Sequence, residues 1–262
     1  MKNRLTELFE RKKENVLNIY FTAGYPNLND TVKIAEALEK AGADILEIGM
    51  PYSDPMADGP TIQQSSEVAL ENGMSIRILF EQLKNIRKTV SLPICLMGYI
   101  NPVMQYGIEK FCKEASALGI DALILPDLPY LEYKELYQAT FEQYNLSNVF
   151  LVTPQTTPDR LKAIDELASG FVYIVSSNST TGSTKKSDDG MDASIEYFNR
   201  IKSANLQNPT LIGFNIKDHA SFEMASNYSN GAIIGSAFIN LLSASKDLEK
   251  DIVQFISKIR NK

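Results

Sequence analysis

Short apolar segments alternate with amphipathic segments from one end of the sequence to the other. The apolar segments are rich in Ile, Val, Leu and Phe, as is typical of strands that are buried on both faces. They lie at residues 16–22, 44–48, 93–97, 122–125, 149–153, 171–175, 210–214 and 232–234. The amphipathic segments carry apolar residues at the spacing of one helical face. They lie at residues 31–41, 76–88, 108–118 and 194–203.

A phrase of four residues recurs before two of the predicted strands. Residues 41–44 read AGAD and residues 118–121 read LGID. A glycine after a helix provides the left-handed cap that lets the chain turn into the next strand. Eight strand–helix units predict an α/β fold, a closed (β/α)8 barrel of the TIM type. An open, doubly wound sheet is the competing fold, and it is less favoured because no glycine-rich dinucleotide-binding turn follows the first strand.

Two further segments complete this organisation. An extra helix at residues 5–14 precedes the first strand and could close the N-terminal mouth of the barrel. A long polar connection at residues 176–192 follows the sixth strand, and a loop of this length is typical of a lid or a disordered tip. No linker rich in Pro, Gly or Ser interrupts the chain, so we expect residues 1–262 to form one domain.

Charge and composition narrow the class of ligand. The net charge of −6 argues against binding to nucleic acid or to an anionic membrane, because both need a basic surface. A small phosphorylated ligand remains compatible with it. The N-terminal segment has no apolar signal core, and no apolar run approaches the ~20 residues that span a bilayer. We therefore expect a cytoplasmic protein.

The cysteines and the histidine exclude several kinds of chemistry. Cys95 and Cys112 lie in or beside apolar runs, which predicts two buried thiols in a reducing compartment. His219 is the one histidine of the chain, so a His-rich metal site or a Ser-His-Asp triad is not expected. We expect His219 to lie in a surface loop.

Carboxylates mark the ends of two predicted strands, which is where α/β barrels hold their active sites. Glu47 lies inside the second apolar segment, where a carboxylate is costly to bury without a partner. It indicates either a structural hydrogen-bond network or an acid–base group. Asp54 and Asp58 follow in a proline-rich loop, and Asp127 ends the fourth strand. Each of these three could serve a ligand or a local turn, and the pattern leaves that choice open.

Glycines follow the last two predicted strands. Gly213 ends the seventh strand, and Gly235 with Ser236 precedes a helical segment at residues 238–242. Barrels often bind phosphate at this place through loop amides and a helix N-terminus. Such a site needs no Lys or Arg, which suits an acidic protein, so we favour phosphate binding over glycines that serve only tight turns.

The motifs around these residues resemble one family. Residues 46–63, LEIGMPYSDPMADGPTIQ, are similar to the signature of tryptophan synthase alpha subunits. Residues 22–26 (TAGYP), 97–102 (MGYINP) and 125–129 (LPDLP) resemble further blocks of that family, in the same order. The resemblance covers essentially the whole chain. It implies a (β/α)8 barrel that cleaves indole-3-glycerol phosphate by a retro-aldol reaction.

The resemblance also implies roles for individual residues. Glu47 would be the general acid and base, and Asp58 would pair with the indole N–H and stabilise positive charge on the ring. Asp127 would shape the site without being the main catalyst. The substrate-binding positions implied in this way are Phe21, Tyr99, Leu125, Tyr173, Gly182, Gly213, Phe214, Gly235 and Ser236, of which the glycines and Ser236 would hold the phosphate.

A partner is implied as well. The family's alpha subunit docks on a beta subunit that carries pyridoxal phosphate, in an alpha-beta-beta-alpha complex, and itself needs no cofactor. Asp54, Asn101 and Pro129 lie in segments that resemble the docking surface. No metal ligand set is expected in this chain.

The chain departs from the family at two places. Asn215 stands where the family usually has the second glycine of Gly-Phe-Gly, and the loop before Gly182 lacks the usual Arg. The alternative function is therefore a weakly active subunit that mainly binds and activates its beta partner. A phosphosugar isomerase on the same barrel is a third interpretation, but it does not explain the run at residues 51–61.

Overall fold

The computed structural model describes residues 2–176, 188–213 and 215–261. Eight parallel strands form a closed barrel in which each strand pairs with the next along the chain and β1 pairs with β8. The strands are β1 (Val16–Thr22), β2 (Ile45–Gly49), β3 (Ile94–Met97), β4 (Ala122–Ile124), β5 (Ser147–Val152), β6 (Val172–Val175), β7 (Thr210–Gly213) and β8 (Gly231–Ile234). The predicted closed barrel is confirmed, and the doubly wound alternative is wrong.

Helices surround the barrel and cover its lower end. They are α1 (Arg4–Arg11), α2 (Thr31–Ala41), α3 (Pro60–Glu71), α4 (Ile76–Leu83), α5 (Ile100–Tyr106), α6 (Ile108–Ala117), α7 (Tyr130–Glu132), α8 (Gln138–Gln143), α9 (Pro158–Leu167), α10 (Asp188–Ser203), α11 (His219–Tyr228), α12 (Ser236–Ala244) and α13 (Leu248–Arg260). A 3-10 turn at Ile86–Lys88 follows α4, and a π-helical segment at Tyr133–Tyr137 joins α7 to α8. None of the described helices is both long and apolar enough to cross a membrane.

Side chains alternate between the two faces of each strand, because successive residues of a strand point in opposite directions. Val16 and Ile45 point inward and belong to an apolar cluster inside the barrel. Leu17 and Leu46, one residue further along, belong to the larger cluster between the barrel and its helices. This alternation decides which side chains reach the central cavity.

Helix α1 closes the N-terminal end of the barrel, as predicted. Its side chains Leu5, Leu8 and Phe9 are buried in the inner cluster, and the Phe9 ring lies 6.1 Å from the ring of Phe171, just before β6. The helix begins at Arg4 because the Asn3 side chain accepts hydrogen bonds from the first amides. The open end of the barrel is therefore the C-terminal end.

Two aspartates fasten this closed end, and both belong to the recurring phrase that precedes a strand. Asp44 accepts hydrogen bonds from the Leu17 amide at 2.8 Å, from Lys12 at 2.6 Å and from Arg260 at 2.5 Å. Its carboxylate therefore ties the first and last described helices to β1. The Asp of the phrase thus has a structural role that the glycine cap alone did not suggest.

Asp121 is the equivalent residue before β4. It accepts from the Ile94 amide at 2.9 Å, from Arg4 at 3.1 Å and from Arg87 at 2.8 Å. With 1% of its side chain exposed, it is a buried carboxylate neutralised by two guanidinium groups. A buried charge of this kind is tolerated because it is paired and hydrogen-bonded.

Several element boundaries differ from the predicted ones. Strand β1 and helix α2 have the predicted bounds, whereas the segment predicted as one helix over residues 76–88 ends at Leu83 and resumes as a 3-10 turn. His219 lies not in a surface loop but at the first position of α11, where its Nδ1 is 2.9 Å from the Ile259 oxygen. The Asp218 side chain caps that helix, a start signal that the loop prediction overlooked.

Candidate active site

A cavity of about 320 Å³ opens at the C-terminal ends of the strands. Two acidic side chains, two tyrosines and a set of backbone groups share its wall. The lining comprises Tyr20, Glu47, Ala57, Asp58, Gly59, Ile62, Met97, Leu151, Tyr173, Val175, Gly213, Asn215, Ile216, Lys217, Ile233, Gly235, Ser236, Ala237 and Asn240. The two predicted catalytic residues are therefore in one cavity.

Glu47 lies at the floor of this cavity, in the middle of β2. Its side chain is fully buried and accepts one hydrogen bond, from Asn18 Nδ2 to Oε2 at 2.5 Å. Burial raises the pKa of the carboxyl to about 8, and the negative charge of Asp58 adds to this, while the Asn18 hydrogen bond acts in the opposite direction. At neutral pH, Glu47 is therefore predominantly a neutral acid.

Asp58 reaches the cavity from the loop between β2 and α3. Its carboxylate accepts a hydrogen bond from the Tyr99 hydroxyl at 3.1 Å. Partial burial raises its pKa to about 6, while the Tyr99 hydrogen bond stabilises the ionised form and acts in the opposite direction. At neutral pH, Asp58 is predominantly a carboxylate.

Tyr99 and Asp127 hold this loop in place. The Tyr99 hydroxyl also accepts from the Ala57 amide at 3.0 Å, so it fixes both the backbone and the carboxylate of the Asp58 segment. Asp127, after β4, accepts from the Ile100 amide at 2.9 Å and so fixes the start of α5, next to Tyr99. Asp127 does not line the cavity, which agrees with a role in shaping the site.

Two tyrosine rings occupy space that glycines leave open. A Cβ atom on Gly49 would collide with the Tyr20 hydroxyl, and a Cβ atom on Gly213 would collide with the Tyr173 ring. Both tyrosines point into the barrel interior, and burial raises the pKa of each hydroxyl well above its ordinary value. They are therefore neutral groups that form flat walls beside Glu47.

The other end of the cavity lies where β7 and β8 end and α12 begins. Gly235 precedes the first turn of α12, and Ser236 is its first residue, so free amides and the positive end of the helix dipole face the cavity. Gly213 ends β7 beside them, and Asn215 follows with a positive φ of 57°. Asn215 thus adopts the left-handed conformation that a glycine takes most readily. Lys217 lies at the rim.

The comparisons with known proteins agree over almost the whole chain. The sequence model described as "Tryptophan synthase alpha chain" matches residues 6–262. The chain is 53% identical to the tryptophan synthase alpha chain of Flavobacterium psychrophilum over 257 residues, 98% of this chain and 99% of that one. It is 46% identical to the alpha chain of Bacteroides thetaiotaomicron over 96% of this chain and 97% of that one.

The chain belongs to the tryptophan synthase alpha chain family.

Solved structures of the family have the same fold. The tryptophan synthase alpha subunit of Legionella pneumophila superposes with a TM-score of 0.89 at 31% identity, covering 100% of this chain and 98% of that one. A tryptophan synthase structure from M. tuberculosis gives a TM-score of 0.85 at 31% identity, over 98% of each chain. The family's alpha chains are lyases of tryptophan biosynthesis. They carry no cofactor and work with a beta subunit that holds pyridoxal phosphate.

The structure corrects two of the substrate-binding residues that family resemblance implied. Phe21 is fully buried among the residues between barrel and helices and does not line the cavity, and Leu125 is likewise buried outside the lining. Tyr20 takes the inward position instead. The strand register pairs Tyr20 with Glu47, so the two residues share the inner face and Phe21 must point outward.

The remaining predicted residues are distributed around the mouth. Tyr173, Gly213, Gly235 and Ser236 line the cavity, whereas Tyr99 contacts Asp58 and does not itself line it. Gly182 and Phe214 lie outside the described residues, as does most of the predicted lid, at residues 177–187.

The three predicted docking residues lie in the segments that follow β2, β3 and β4. Asp54, Asn101 and Pro129 are all exposed, and Asn101 Nδ2 donates to the Tyr52 hydroxyl at 3.1 Å. Exposed apolar side chains accompany them in the same segments. Met56 is 86% exposed, and Leu131 is 54% exposed.

Proposed function

We propose that this chain cleaves indole-3-glycerol phosphate into indole and glyceraldehyde 3-phosphate, with Glu47 as the acid–base group and Asp58 as its electrostatic partner. The observation that carries this proposal is that both carboxyl groups line one cavity at the C-terminal ends of the strands, where burial raises the pKa to about 8 for Glu47 and about 6 for Asp58. Two carboxyl groups whose surroundings push their pKa values apart can divide acid and base roles between them. At neutral pH one is protonated and the other is charged.

This division suits a retro-aldol cleavage. Protonated Glu47 gives its proton to the ring carbon of indole that bears the glycerol chain, which leaves positive charge on the ring. Asp58 accepts the indole N–H and stabilises that charge. The Glu47 carboxylate then takes the proton of the neighbouring hydroxyl, the carbon–carbon bond breaks, and its electron pair restores the aromatic ring. Glu47 ends the cycle protonated, as it began.

The polar end of the cavity supports a phosphate site. The amides of Gly235 and Ser236 at the N-terminus of α12 offer donors to a dianion without a buried cation, and Gly213 lines the cavity beside them. The apolar walls near Glu47, including Tyr173 and Leu151, suit the indole ring. A substrate with a flat aromatic end and a phosphorylated end fits this polarity.

A beta subunit is the proposed partner, and the mouth of the barrel is the proposed docking surface. The exposed apolar side chains Met56, Met104, Leu131 and Leu136 lie in the segments that follow β2, β3 and β4. Asp54, Asn101 and Pro129 lie in the same three segments. Because Asp58 belongs to the first of them, docking would act directly on the loop that carries it. We place the chain in the cytoplasm, as fits a subunit of a biosynthetic complex.

An indole-release assay on the purified chain, with increasing amounts of beta subunit, tests the function and the partner together. We expect slow release by the isolated chain and at least a tenfold rise at saturating partner, equivalent to ~1.4 kcal/mol of coupling. A variant with Met56→Ser and Leu131→Ser should need more partner to reach the same rate. Exposed Val253→Ser on α13 is the matched control.

The outcomes separate the candidate functions. If indole release stays negligible at saturating partner while the beta subunit is activated, the chain is a weakly active docking subunit. If release is fast and does not respond to the partner, the chain is a stand-alone lyase.

A further inference from the structure

Asn18 lies directly beneath the proposed catalytic carboxyl. It is two residues after inward-facing Val16 on β1, just as Glu47 is two residues after inward-facing Ile45 on β2. The period of two places Asn18 and Glu47 on the inner face of neighbouring strands. Asn18 is fully buried and does not line the cavity, so it cannot touch a substrate.

Two atoms of this pair are left without a hydrogen bond. Asn18 Nδ2 donates to Glu47 Oε2, while Asn18 Oδ1 and Glu47 Oε1 are buried and have no partner. A buried polar atom without a partner is costly and rare. One proton on Glu47 Oε1 that is donated to Asn18 Oδ1 would satisfy both atoms at once. An amide has one donor side and one acceptor side, which match the two oxygens of a protonated carboxyl.

We propose that Asn18 is a positioning residue for Glu47. Asn18 donates a hydrogen bond to Glu47 when Glu47 is a carboxylate, and it accepts a hydrogen bond from Glu47 when Glu47 is a neutral acid. The inference rests on the proposed function, because it assigns Asn18 to the proton carrier of that reaction. Glu47 changes protonation state twice in each cycle. Asn18 would hold the carboxyl in one place through both states, between the ring carbon that takes the proton and the hydroxyl that returns one.

The other groups around Glu47 do not hold its carboxyl in place. The charged or titratable groups that interact with it are Asp58 in the loop after β2, Cys95 on β3, Tyr20 on β1 and Tyr173 on β6. None of them is a cation. Among the described residues, the Glu47 side chain has one hydrogen bond, which comes from Asn18. The charge-assisted bond from Asn18 Nδ2 to the carboxylate is stronger than either bond to the neutral acid and lowers the pKa of Glu47, so its loss should raise that pKa.

Asn18→Leu tests the proposal, because Leu has nearly the same size and neither donor nor acceptor. In the complex with a beta subunit, we expect kcat for indole release to fall about tenfold, with KM changed less than about threefold. We expect the apparent pKa of Glu47 to rise by about one unit, the cost of one hydrogen bond to a charged group. Infrared titration of the carboxyl band, identified by its loss in Glu47→Gln, gives this pKa without any turnover.

Two further variants make the result decisive. Asn148→Leu removes an equally buried amide on β5, and it should leave the Glu47 titration unchanged. Asn18→Val also removes both polar atoms, adds no charge and suits a strand, and it should also raise the pKa, so it decides the question if the Leu variant does not fold. An unchanged Glu47 titration in the folded Asn18 variant would overturn the proposal.

The infrared arm also separates this inference from the proposed function. A raised Glu47 pKa in a chain that releases no indole would support the positioning role of Asn18 and contradict the function. An unchanged pKa in a chain that cleaves its substrate normally would contradict the positioning role of Asn18 and support the function.

Discussion

The two ends of the barrel hold buried carboxylates in contrasting surroundings. At the closed end, Asp121 accepts hydrogen bonds from two arginines and a strand amide, and Asp44 does the same with Lys12 and Arg260. At the open end, Glu47 has a single amide partner and no ion pair among the described residues. All three side chains are close to strand backbone, yet their chemical situations are opposite.

Carboxylates that stabilise the fold and a carboxyl that can exchange a proton thus differ in whether a cation is beside them. A carboxylate that is surrounded by cations has no reason to take up a proton, and removing it leaves those cations unpaired. A carboxyl that is buried without a cation is held near the point of proton exchange, at a cost in stability. The closed end therefore stabilises the fold, and the open end spends part of that stability on a reactive group.

The largest expected effect comes from Glu47→Gln. The amide keeps the shape and removes the proton carrier, so indole release should fall about 10³-fold, equivalent to ~4 kcal/mol of barrier. Steady-state release by the complex measures it. Glu142→Gln, an exposed change at α8, is the matched control. Retention of most of the rate would mean that Glu47 is not the proton carrier. The open end would then hold no reactive carboxyl at Glu47 to set against the paired carboxylates of the closed end.

Glu47 should also make folding stability depend on pH. Its pKa rises from 4.5 in the unfolded chain to about 8 in the folded one, so between these values the folded state binds the extra proton. The contribution of Glu47 to the free energy of unfolding should therefore be fully present below about pH 4.5 and be lost as pH rises through 8. The total loss should be a few kcal/mol. Urea unfolding of wild type and Glu47→Gln from pH 5 to 9 tests this, and the variant should show the flatter curve. Parallel curves would contradict the raised pKa.

At the closed end, Asp121→Asn should lower the free energy of unfolding and leave the rate of indole release nearly unchanged. The change leaves Arg4 and Arg87 without their counter-charge, and we expect a loss of roughly 3 kcal/mol in the free energy of unfolding. The rate per folded molecule should stay within about twofold. Glu7→Gln, which breaks an exposed pair with Lys2, should cost less than about 1 kcal/mol. A selective loss of rate in the Asp121 variant would mean that the two ends are not independent.

The smallest of these effects is expected for Asp58→Asn. The neutral amide can still pair with the indole N–H but cannot balance positive charge, so the rate should fall about hundredfold, ~2.7 kcal/mol. Stability should change little, because Asp58 is half-buried on a loop. Asp159→Asn, at the exposed start of α9, is the control. A rate within tenfold of wild type would assign charge stabilisation to another group.

Much of this arrangement could be predicted from the sequence. The eight strands followed from apolar runs, and Glu47 was recognised because a charged residue interrupts one of them. Helix α3 was harder to predict, because its start at Gly59-Pro60 continues a proline-rich loop and shows no side-chain cap. Local pattern identifies elements well where burial dictates composition.

Residues that depend on register were beyond the reach of local pattern. Family resemblance implied an aromatic wall near residue 21, but the choice between Tyr20 and Phe21 requires knowing which of them faces Glu47. The repeated phrase revealed its glycines, yet the partners of Asp44 and Asp121 come from helices far away in the chain. Asn18 carried no signal as a lone amide in a strand.

The convergence of α1 and α13 on Asp44 has a consequence for protein engineering. Lys12, directly after the first helix, and Arg260 in the last one contact the same carboxylate, whereas Lys2, before the first helix, accepts a hydrogen bond from Asn145 next to β5. Helix α1 therefore crosses the closed end of the barrel, and its start lies away from the end of α13. Circular permutation is easiest where the two ends lie close together, so here the linker must span the closed end. New ends could be opened at the exposed turn around Asn205 while the cavity keeps its geometry.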